Sequence, residues 1–421
     1  MTQTIYIKGA RLIDGTGRDP VQDAAILIEG DKIVAAGRDV KPAPGARIID
    51  AEGRSALPGI IDCHVHGTYR ARDMRQHLLN TPTYNVLRST AILEETLACG
   101  VTTARDMGGA DAGFRAAIAE GCIPGPRLQI SIAMISQTGG HGDAWVPTGL
   151  RIPKRAWLPS PVADGVNDVR RLARQLLMAG ADFLKICATG GITSVTDSWD
   201  EQQFTTEEIQ VAAAEARMRR KTVAVHAEGI DGIRTALKAD IHSLEHGWFI
   251  DEECVDLMIR KGIWWVPTLA LVPLSLEHRS KNAAWDKQQL AAEDVKERQI
   301  FDMMQKQIPL WKDAVRRGLK VAFGTDQSHR LLVGENLAEL RFMVDWLGMT
   351  PMQALVSATQ KAAQCIGRPD VGVLEAGRLA DILIVEGDPL DDIRILEERA
   401  RLKLVMQGGR AHTNHLEKRN P

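Results

Sequence analysis

The sequence lacks the features that mark several classes of protein. None of its apolar runs reaches the ~18 residues of a membrane-spanning helix. The first residues also lack the basic-then-apolar pattern of a signal peptide. The formal net charge is only -2, and no basic block or stripe is present, which argues against a nucleic-acid binder. We therefore expect a cytoplasmic protein that binds neither nucleic acid nor a membrane.

Cysteine pairs and glycine-rich phosphate-binding motifs are also missing. The six cysteines are scattered and contain no C-x-x-C pair, which is typical of small buried residues in a reducing compartment. The segment GGITS (190–194) follows a predicted strand, but it matches neither G-x-G-x-x-G nor the P-loop. The sequence therefore gives no indication of a disulfide framework or of a nucleotide phosphate site.

The 421 residues suit a large barrel with a smaller domain. Residues 1–57 and 366–421 are rich in short β-prone runs, and we expect both termini to build one small β-sandwich domain. Residues 58–365 alternate strand-like and helix-like runs, which predicts an α/β fold, a (β/α)8 TIM-like barrel. The predicted strands lie in 57–66, 100–108, 126–134, 181–190, 221–229, 240–247, 262–270 and 319–327.

Glycines and long connections refine this prediction. Gly100, Gly180, Gly262 and Gly318 follow helix-like runs, where a left-handed residue commonly ends a helix. The connections 136–164 and 272–317 are long, and in a barrel the loops after strands form the catalytic end. Trp145, Trp157, Trp199 and Trp248 fall in predicted loops there, where they serve either core packing or an aromatic pocket.

The most informative motif is His64-Val65-His66 at the end of an apolar strand. Residues i and i+2 of a strand point to the same side, so both imidazoles face one direction. Neutral imidazole is the commonest side-chain ligand of divalent metals. Lys185, His226, His246 and Asp326 also end short apolar runs, and the strand ends of a barrel form one ring. We expect all six side chains to converge on a metal site.

This pattern resembles the amidohydrolase superfamily over nearly the whole chain. The resemblance lies in HxH after LPGxID, the strand-4 lysine, the strand-5 and strand-6 histidines, the strand-8 aspartate and the tail VGVLEAGRLADILIVEGDP. It implies two divalent metal ions, with zinc expected. One ion would be held by His64, His66, Lys185 and Asp326, the other by Lys185, His226 and His246. Lysine is normally a cation and cannot ligate, so the resemblance implies N6-carboxylation of Lys185 to a bridging carbamate. A surface lysine is the alternative.

The resemblance also implies catalytic roles. Asp326 would be both a metal ligand and the general base of amide hydrolysis. His141, in TGGHGD, would polarise the substrate carbonyl rather than serve as a turn histidine. Asp106 is expected to have a structural hydrogen-bonding role at least as readily as a catalytic one. His242 is expected in the core or behind the ligands, and His77, His278, His412 and His415 at the surface.

Several motifs resemble the Xaa-Pro and Xaa-Arg dipeptidase and imidazolonepropionase-like branch, which also contains ochratoxin, phenylurea and thiocarbamate hydrolases. Dipeptidases of that branch commonly carry a tyrosine two residues after the strand-5 histidine, whereas this chain has Glu228. Glu228 would repel a dipeptide carboxylate, although Arg70, Arg72 or Arg330 could restore its binding. The implied substrate is an N-acyl amino acid, a dipeptide-like compound or an aryl amide, bound with help from His141, Glu228, Trp145 and Arg330.

Three alternatives stay open. A hydrolase of xenobiotic carbamates or ureas would use the same site. A mononuclear deaminase or imidazolone-type hydrolase would use the same barrel, although such enzymes usually lack the lysine bridge. A scaffold without activity would be expected to have lost ligand residues, and all six ligand-type residues are present. Relatives often form homo-oligomers, which we also expect here.

Overall fold

The computed structural model describes residues 3–68, 80–143, 159–192, 194, 197–281, 287–328 and 330–416. Its strands are β1 (Thr4–Leu12), β2 (Val21–Glu29), β3 (Lys32–Gly37), β4 (Arg47–Asp50), β5 (Ser55–Pro58), β6 (Ile60–Val65), β7 (Val101–Asp106), β8 (Arg127–Ile130), β9 (Met134–Ile135), β10 (Leu184–Cys187), β11 (Val223–Ala227), β12 (Ser243–His246), β13 (Trp264–Val266), β14 (Ile382–Val385), β15 (Leu402–Gln407) and β16 (Arg410–Asn414).

The helices are α1 (Pro82–Ala98), α2 (Ala112–Ala119), α3 (Gly165–Met178), α4 (Thr206–Met218), α5 (Ile230–Lys238), α6 (Glu252–Lys261), α7 (Leu271–Lys281), α8 (Lys287–Arg316), α9 (Ala338–Leu347), α10 (Pro351–Ala358) and α11 (Gln360–Cys365), with 3-10 turns at Ile393–Glu397 and Arg399–Arg401. The predicted connection 272–317 thus consists largely of α7 and α8. Gly100, Gly180, Gly262 and Gly318 all have positive φ, as their positions predict. No helix in the described ranges has the length and apolar character needed to cross a bilayer.

Strands from both ends of the chain share one sheet. Its eight strands run in the order β16-β15-β14-β5-β1-β2-β3, with β4 paired to β1. The buried side chains of this sheet form their own apolar cluster, which includes Ile7, Ile26 and Ile384. The two termini are therefore joined by backbone pairing and by a common core.

The remaining strands are parallel and alternate with helices. They form a sheet of three strands, β6-β7-β8, and a sheet of five, β13-β12-β11-β10-β9. A single third strand over 126–134 is a wrong prediction, because the backbone turns to a φ of 70° at Ile132. That turn separates β8, which pairs with β7, from β9, which pairs with β10.

The predicted eighth strand, 319–327, is also irregular. Among the described residues it makes only isolated parallel bridges, Val321 with Trp265 and Gln327 with Val65 and with Leu331. Its backbone nevertheless hydrogen-bonds to β13 on one side and to β6 on the other, since Ala322 N donates to Trp265 O and Cys63 N donates to Phe323 O. The closed ring of eight regular strands is therefore not observed, although this segment lies between the two parallel sheets.

Candidate metal centre

One pocket collects the predicted ligand residues at the carboxyl ends of the parallel strands. It is lined by His64, His66, Lys185, His226, His246 and Asp326, together with His141, Glu228, Met134, Ile192 and Leu271. The first six come from β6, β10, β11, β12 and the 319–327 segment, or from the residue just after a strand. The shared direction of parallel strands is what brings residues so distant in sequence to one place.

Two groups of side chains in the pocket could each hold a metal ion, and we call them the first and second ligand groups. The first consists of His64, His66 and Asp326. The Asp326 Oδ1 atom lies 3.5 Å from His64 Nε2 and 3.3 Å from His66 Nε2. The other ring nitrogens are already engaged, because His64 Nδ1 lies 2.9 Å from a Glu245 carboxylate oxygen and His66 Nδ1 lies 3.0 Å from the Gly108 carbonyl. With Nδ1 as the donor, each ring directs the lone pair of Nε2 towards Asp326, which is the usual arrangement of a metal-binding histidine.

His226, Glu228 and His246 form the second ligand group. One donor atom from each of the three lies within 4.8 Å of the others, and all three residues are buried. His246 Nδ1 lies 2.8 Å from Thr268 Oγ1, and His226 Nε2 lies 2.9 Å from the Gly190 carbonyl. The two groups adjoin, since the ring centroids of His64 and His246 are 4.9 Å apart.

Lys185 also lies in this pocket, and its amine is deeply buried. Its side chain is 1% exposed, and Nζ has no hydrogen-bond partner among the described residues. Burial lowers the pKa of this amine, against the opposing effect of Glu245 and Asp326. An amine without its proton is a nucleophile for CO2, and the carbamate so formed gains two oxygens that can bind metal. Lys185 therefore fits the bridging role better than it fits a buried ammonium.

Burial also sets the charge of the other ligands. It lowers the pKa of His64, His226 and His246 well below the usual range, so the imidazoles are neutral and able to ligate. It raises the pKa of Asp326 to about 7, although the nearby Lys185 acts in the opposite direction. A divalent cation would favour the ionised carboxylate.

The buried ion pair behind His64, between Arg105 and Glu245, was not predicted from the sequence. Glu245 is fully buried and accepts hydrogen bonds from Arg105 Nη2 at 2.8 Å and from Ser243 Oγ at 2.5 Å, besides contacting His64. Arg105 is buried as well and donates from Nε to the Cys63 carbonyl at 2.7 Å. The signal was a charged residue inside each of the apolar strands β7 and β12. This ion pair fixes the orientation of His64.

Two aspartates have structural roles. Asp62 Oδ2 accepts from Thr325 Oγ1 at 2.7 Å and from Asn336 Nδ2 at 2.9 Å, which ties β6 to the segment that carries Asp326. The Asp106 carboxylate accepts from the backbone N–H groups of Gly67, Gly108 and Ala110, as its structural interpretation predicts. Both residues therefore fix the backbone around His64 and His66.

His141 lies in the pocket. Its ring stacks on His226 with centroids 4.4 Å apart and an interplanar angle of 15°, and Nδ1 lies 3.3 Å from Ser194 Oγ. Burial lowers the pKa of His141 to about 4, so the imidazole is neutral. His242 lies elsewhere, with Nε2 2.7 Å from the Cys365 carbonyl, and is not among the residues that line the pocket.

The predicted substrate-binding residues divide into three cases. Glu228 is buried in the pocket, and Oε2 accepts a hydrogen bond from Ile192 N at 3.2 Å. Arg330 does not line the pocket, because its guanidinium forms an ion pair with the buried carboxylate of Glu297. Trp145 lies outside the described residues, as do Trp157, Arg70, Arg72 and His77.

Of the four tryptophans predicted in loops at the catalytic end, Trp199 and Trp248 lie among the described residues. Trp248 is fully buried, packs edge-on against His246 and donates from Nε1 to the Pro267 carbonyl, so it belongs to the core. Trp199 packs against Phe249. Burial raises the pKa of Glu228 well above its usual range, and the positive charge of Lys296 of α8, a residue that was not predicted, acts in the opposite direction. The same charge adds to the effect of burial, which lowers the pKa of His141. His278 is half-buried in an ion pair with Glu335.

Comparison with known proteins identifies the family of this chain. Residues 55–411 match the amidohydrolase family. The chain is 32% identical to the ochratoxinase of Aspergillus niger over 95% of its own length and 84% of that protein. It is 25% identical to the imidazolonepropionase of Cereibacter sphaeroides, covering 91% and 92% of the two chains. A solved Xaa-Pro dipeptidase with bound methionine in its active site superposes with a TM-score of 0.86, at 30% identity and with 97% and 99% of the two chains covered. The chain belongs to the amidohydrolase family.

Proposed function

We propose that this protein is a binuclear metal-dependent hydrolase that cleaves an amide bond of a small molecule. His64, His66 and Asp326 would hold one ion and His226 and His246 the other, with zinc as the metal. Lys185, carboxylated on Nζ, would bridge the two ions. The observation that carries this proposal is the buried Lys185 amine without a hydrogen-bond partner among the described residues, in a pocket that also holds both ligand groups.

Two divalent cations at this centre would supply an activated water and polarise the substrate carbonyl. The residues of the chain perform the remaining tasks. The Asp326 carboxylate would take the proton of the attacking water and deliver it to the leaving nitrogen. The neutral His141 ring, fixed by stacking on His226, would donate a hydrogen bond to the carbonyl oxygen as negative charge develops there.

The pocket lining supports an acylated amino acid or an aryl amide as the substrate. Met134, Ile192 and Leu271 provide apolar wall beside the ligand groups. Glu228 stands where a dipeptide carboxylate would bind in a dipeptidase and would repel it. Lys296, whose charge acts on His141 and Glu228, is the cation that we propose for a substrate carboxylate. An aryl or acyl group on one side and a carboxylate on the other suit both features.

A second candidate is an imidazolone-type hydrolase with a single metal ion, and the imidazolonepropionase relative favours it. The same pocket could also cleave a carbamate or urea. Lys185 argues against the mononuclear enzyme, because a single ion needs no bridge. One ion per chain combined with ring-opening of a heterocycle would support it.

We propose further that residues 58–365 close into a (β/α)8 barrel through the irregular 319–327 segment, and that residues 1–57 and 366–421 form the smaller domain. The backbone hydrogen bonds from that segment to both β6 and β13 support the first point. The shared eight-stranded sheet supports the second.

The proposed activity is tested by assaying protein reconstituted with zinc in bicarbonate against N-acyl amino acids, dipeptides and aryl amides. We expect amine release from at least one of the first or third classes, and none from Lys185→Ala. His412→Gln, in β16 and outside the pocket, is the matched control and should keep full activity. Metal-loaded protein that releases no amine from any class, or a fully active Lys185→Ala, would contradict the proposal.

A further inference from the structure

We infer that Glu228 is a metal ligand, which completes the second ligand group with His226 and His246. The inference rests on the proposed binuclear centre, since it assigns one more side chain to the second ion. Each ion would then have two histidines and one carboxylate of its own, besides the shared carbamate of Lys185.

The geometry of the second ligand group already suits an ion. One donor atom each of His226, Glu228 and His246 lies within 4.8 Å of the other two. Ligand atoms about 2.1 Å from a tetrahedral ion are about 3.4 Å apart. Small side-chain rotations on binding of the ion would close that difference. The first ligand group, with His64, His66 and Asp326, meets the same geometric test.

The loop that follows β10 orients two of these ligands at once. Its Gly190 carbonyl lies 2.9 Å from His226 Nε2, so that nitrogen donates and Nδ1 is left to bind. The Ile192 N–H donates to Glu228 Oε2 at 3.2 Å, and Thr189 Oγ1 accepts from Glu228 N at 3.0 Å. The same loop therefore fixes the ring of His226 and the carboxylate of Glu228 relative to each other.

The second oxygen of Glu228, Oε1, has no hydrogen-bond partner among the described residues. It lies 3.9 Å from His226 Nε2, a distance beyond a hydrogen bond. Glu228 is 2% exposed, and burying an ionised carboxylate is costly unless an opposite charge contacts it. No basic side chain in the described ranges forms an ion pair with it apart from this histidine contact, and the histidine is needed as a neutral ligand.

The charge balance of the proposed centre also favours an ionised Glu228 as a ligand. Two divalent ions bring four positive charges, whereas the carbamate and Asp326 together bring two negative charges. An ionised Glu228 would reduce the excess from two charges to one within a buried site. The tyrosine that commonly stands at this position in dipeptidases supplies no such charge, so the ligand would be particular to chains with an acidic residue here.

A crystal structure of the zinc-loaded protein tests the inference without any substitution. We expect a Glu228 oxygen about 2.0–2.2 Å from the second ion. A carboxylate more than about 3 Å from both ions, or one that points to a bound substrate amine, would overturn the inference.

A solution test separates this inference from the proposed function. Zinc equivalents are measured after dialysis against graded chelator for the wild type, Glu228→Gln, Glu228→Asp and the control Glu215→Gln, a buried carboxylate that pairs with Arg174 outside the pocket. We expect Glu228→Gln to weaken the second ion at least about 10-fold, with Glu228→Asp intermediate and the first ion unaffected. Two ions bound with unchanged affinity in Glu228→Gln would overturn the inference alone, whereas a wild type that never binds two would overturn the proposed centre. If Glu228→Gln fails to fold, the crystal structure decides.

Discussion

The two ligand groups are alike in the residues that face the pocket and different in what lies behind them. His64 of the first group is backed by Glu245, which is in turn paired with Arg105, and both are buried charges. His226 and His246 of the second group are backed by a backbone carbonyl and the Thr268 hydroxyl, which are neutral. A carboxylate behind a histidine raises its basicity and fixes its tautomer more strongly than a neutral acceptor does. The first group should therefore hold its ion more tightly.

The largest effect is expected for Asp326→Asn, which removes both a ligand and the proposed base. We expect kcat to fall by about 10²–10⁴, because that is the usual contribution of a positioned general base. The amide keeps the size of the side chain, so the melting temperature should change little. Steady-state kinetics and thermal melts measure the two effects, and an unchanged kcat would remove Asp326 from the mechanism.

Glu245→Gln removes the charge behind the first group. It leaves Arg105 buried without its counter-ion, so we expect the free energy of unfolding to fall by about 3–5 kcal/mol. The first ion should bind about 10–100-fold more weakly. Urea denaturation and metal titration measure the two losses. In the control Glu215→Gln the partner Arg174 is 60% exposed, and the loss should be about 0–1 kcal/mol. Equal losses in the two variants would remove the distinction between the groups.

Thr268→Val is the matching change behind the second group. It replaces a neutral hydrogen-bond partner of His246 by a side chain of the same shape, and such bonds contribute about 0.5–1.5 kcal/mol. We expect the second ion to bind about 2- to 12-fold more weakly, with the first ion unaffected. A loss of affinity greater than that of Glu245→Gln would reverse the proposed order of the two groups.

The smallest predicted effect is the pH dependence of stability that Glu339 causes near the second ligand group. Glu339 accepts from the N–H groups of Leu269 and Ala270, just after Thr268, and burial raises its pKa to about 8. A carboxyl with a raised pKa binds a proton on folding, so its contribution to stability is present below the unfolded value of 4.5 and is lost as pH rises through about 8. As the pH rises from 4.5 to about 8, the melting temperature of Glu339→Gln should therefore fall less than that of the wild type. A variant whose melting temperature falls as steeply as that of the wild type would contradict this assignment.

The sequence predicts six side chains that line the pocket, because their positions obey local rules. His64 and His66 follow from the two-residue period of a strand, and the other four proposed ligands from their places at the ends of apolar runs. Parallel strands then bring these ends together, whatever the detailed path of the connections.

Features set by tertiary contacts could not be predicted in the same way. The turn at Ile132, which divides one predicted strand, places a β-branched residue at positive φ, which no local preference favours. Arg330 was assigned to the substrate because arginine suits carboxylates, but the buried Glu297 of α8 already occupies its guanidinium. The pairing of Arg105 with Glu245 joins β7 to β12, so neither residue alone indicates it.

The binuclear centre is best tested by the zinc content per chain of wild-type protein prepared in bicarbonate and dialysed against increasing chelator. We expect two equivalents at low chelator, lost in two separate steps, with the more weakly held ion leaving from the His226 and His246 group. A protein that binds one equivalent or none under every loading condition would contradict the binuclear centre. Loss of both ions in a single step would contradict the difference between the two groups.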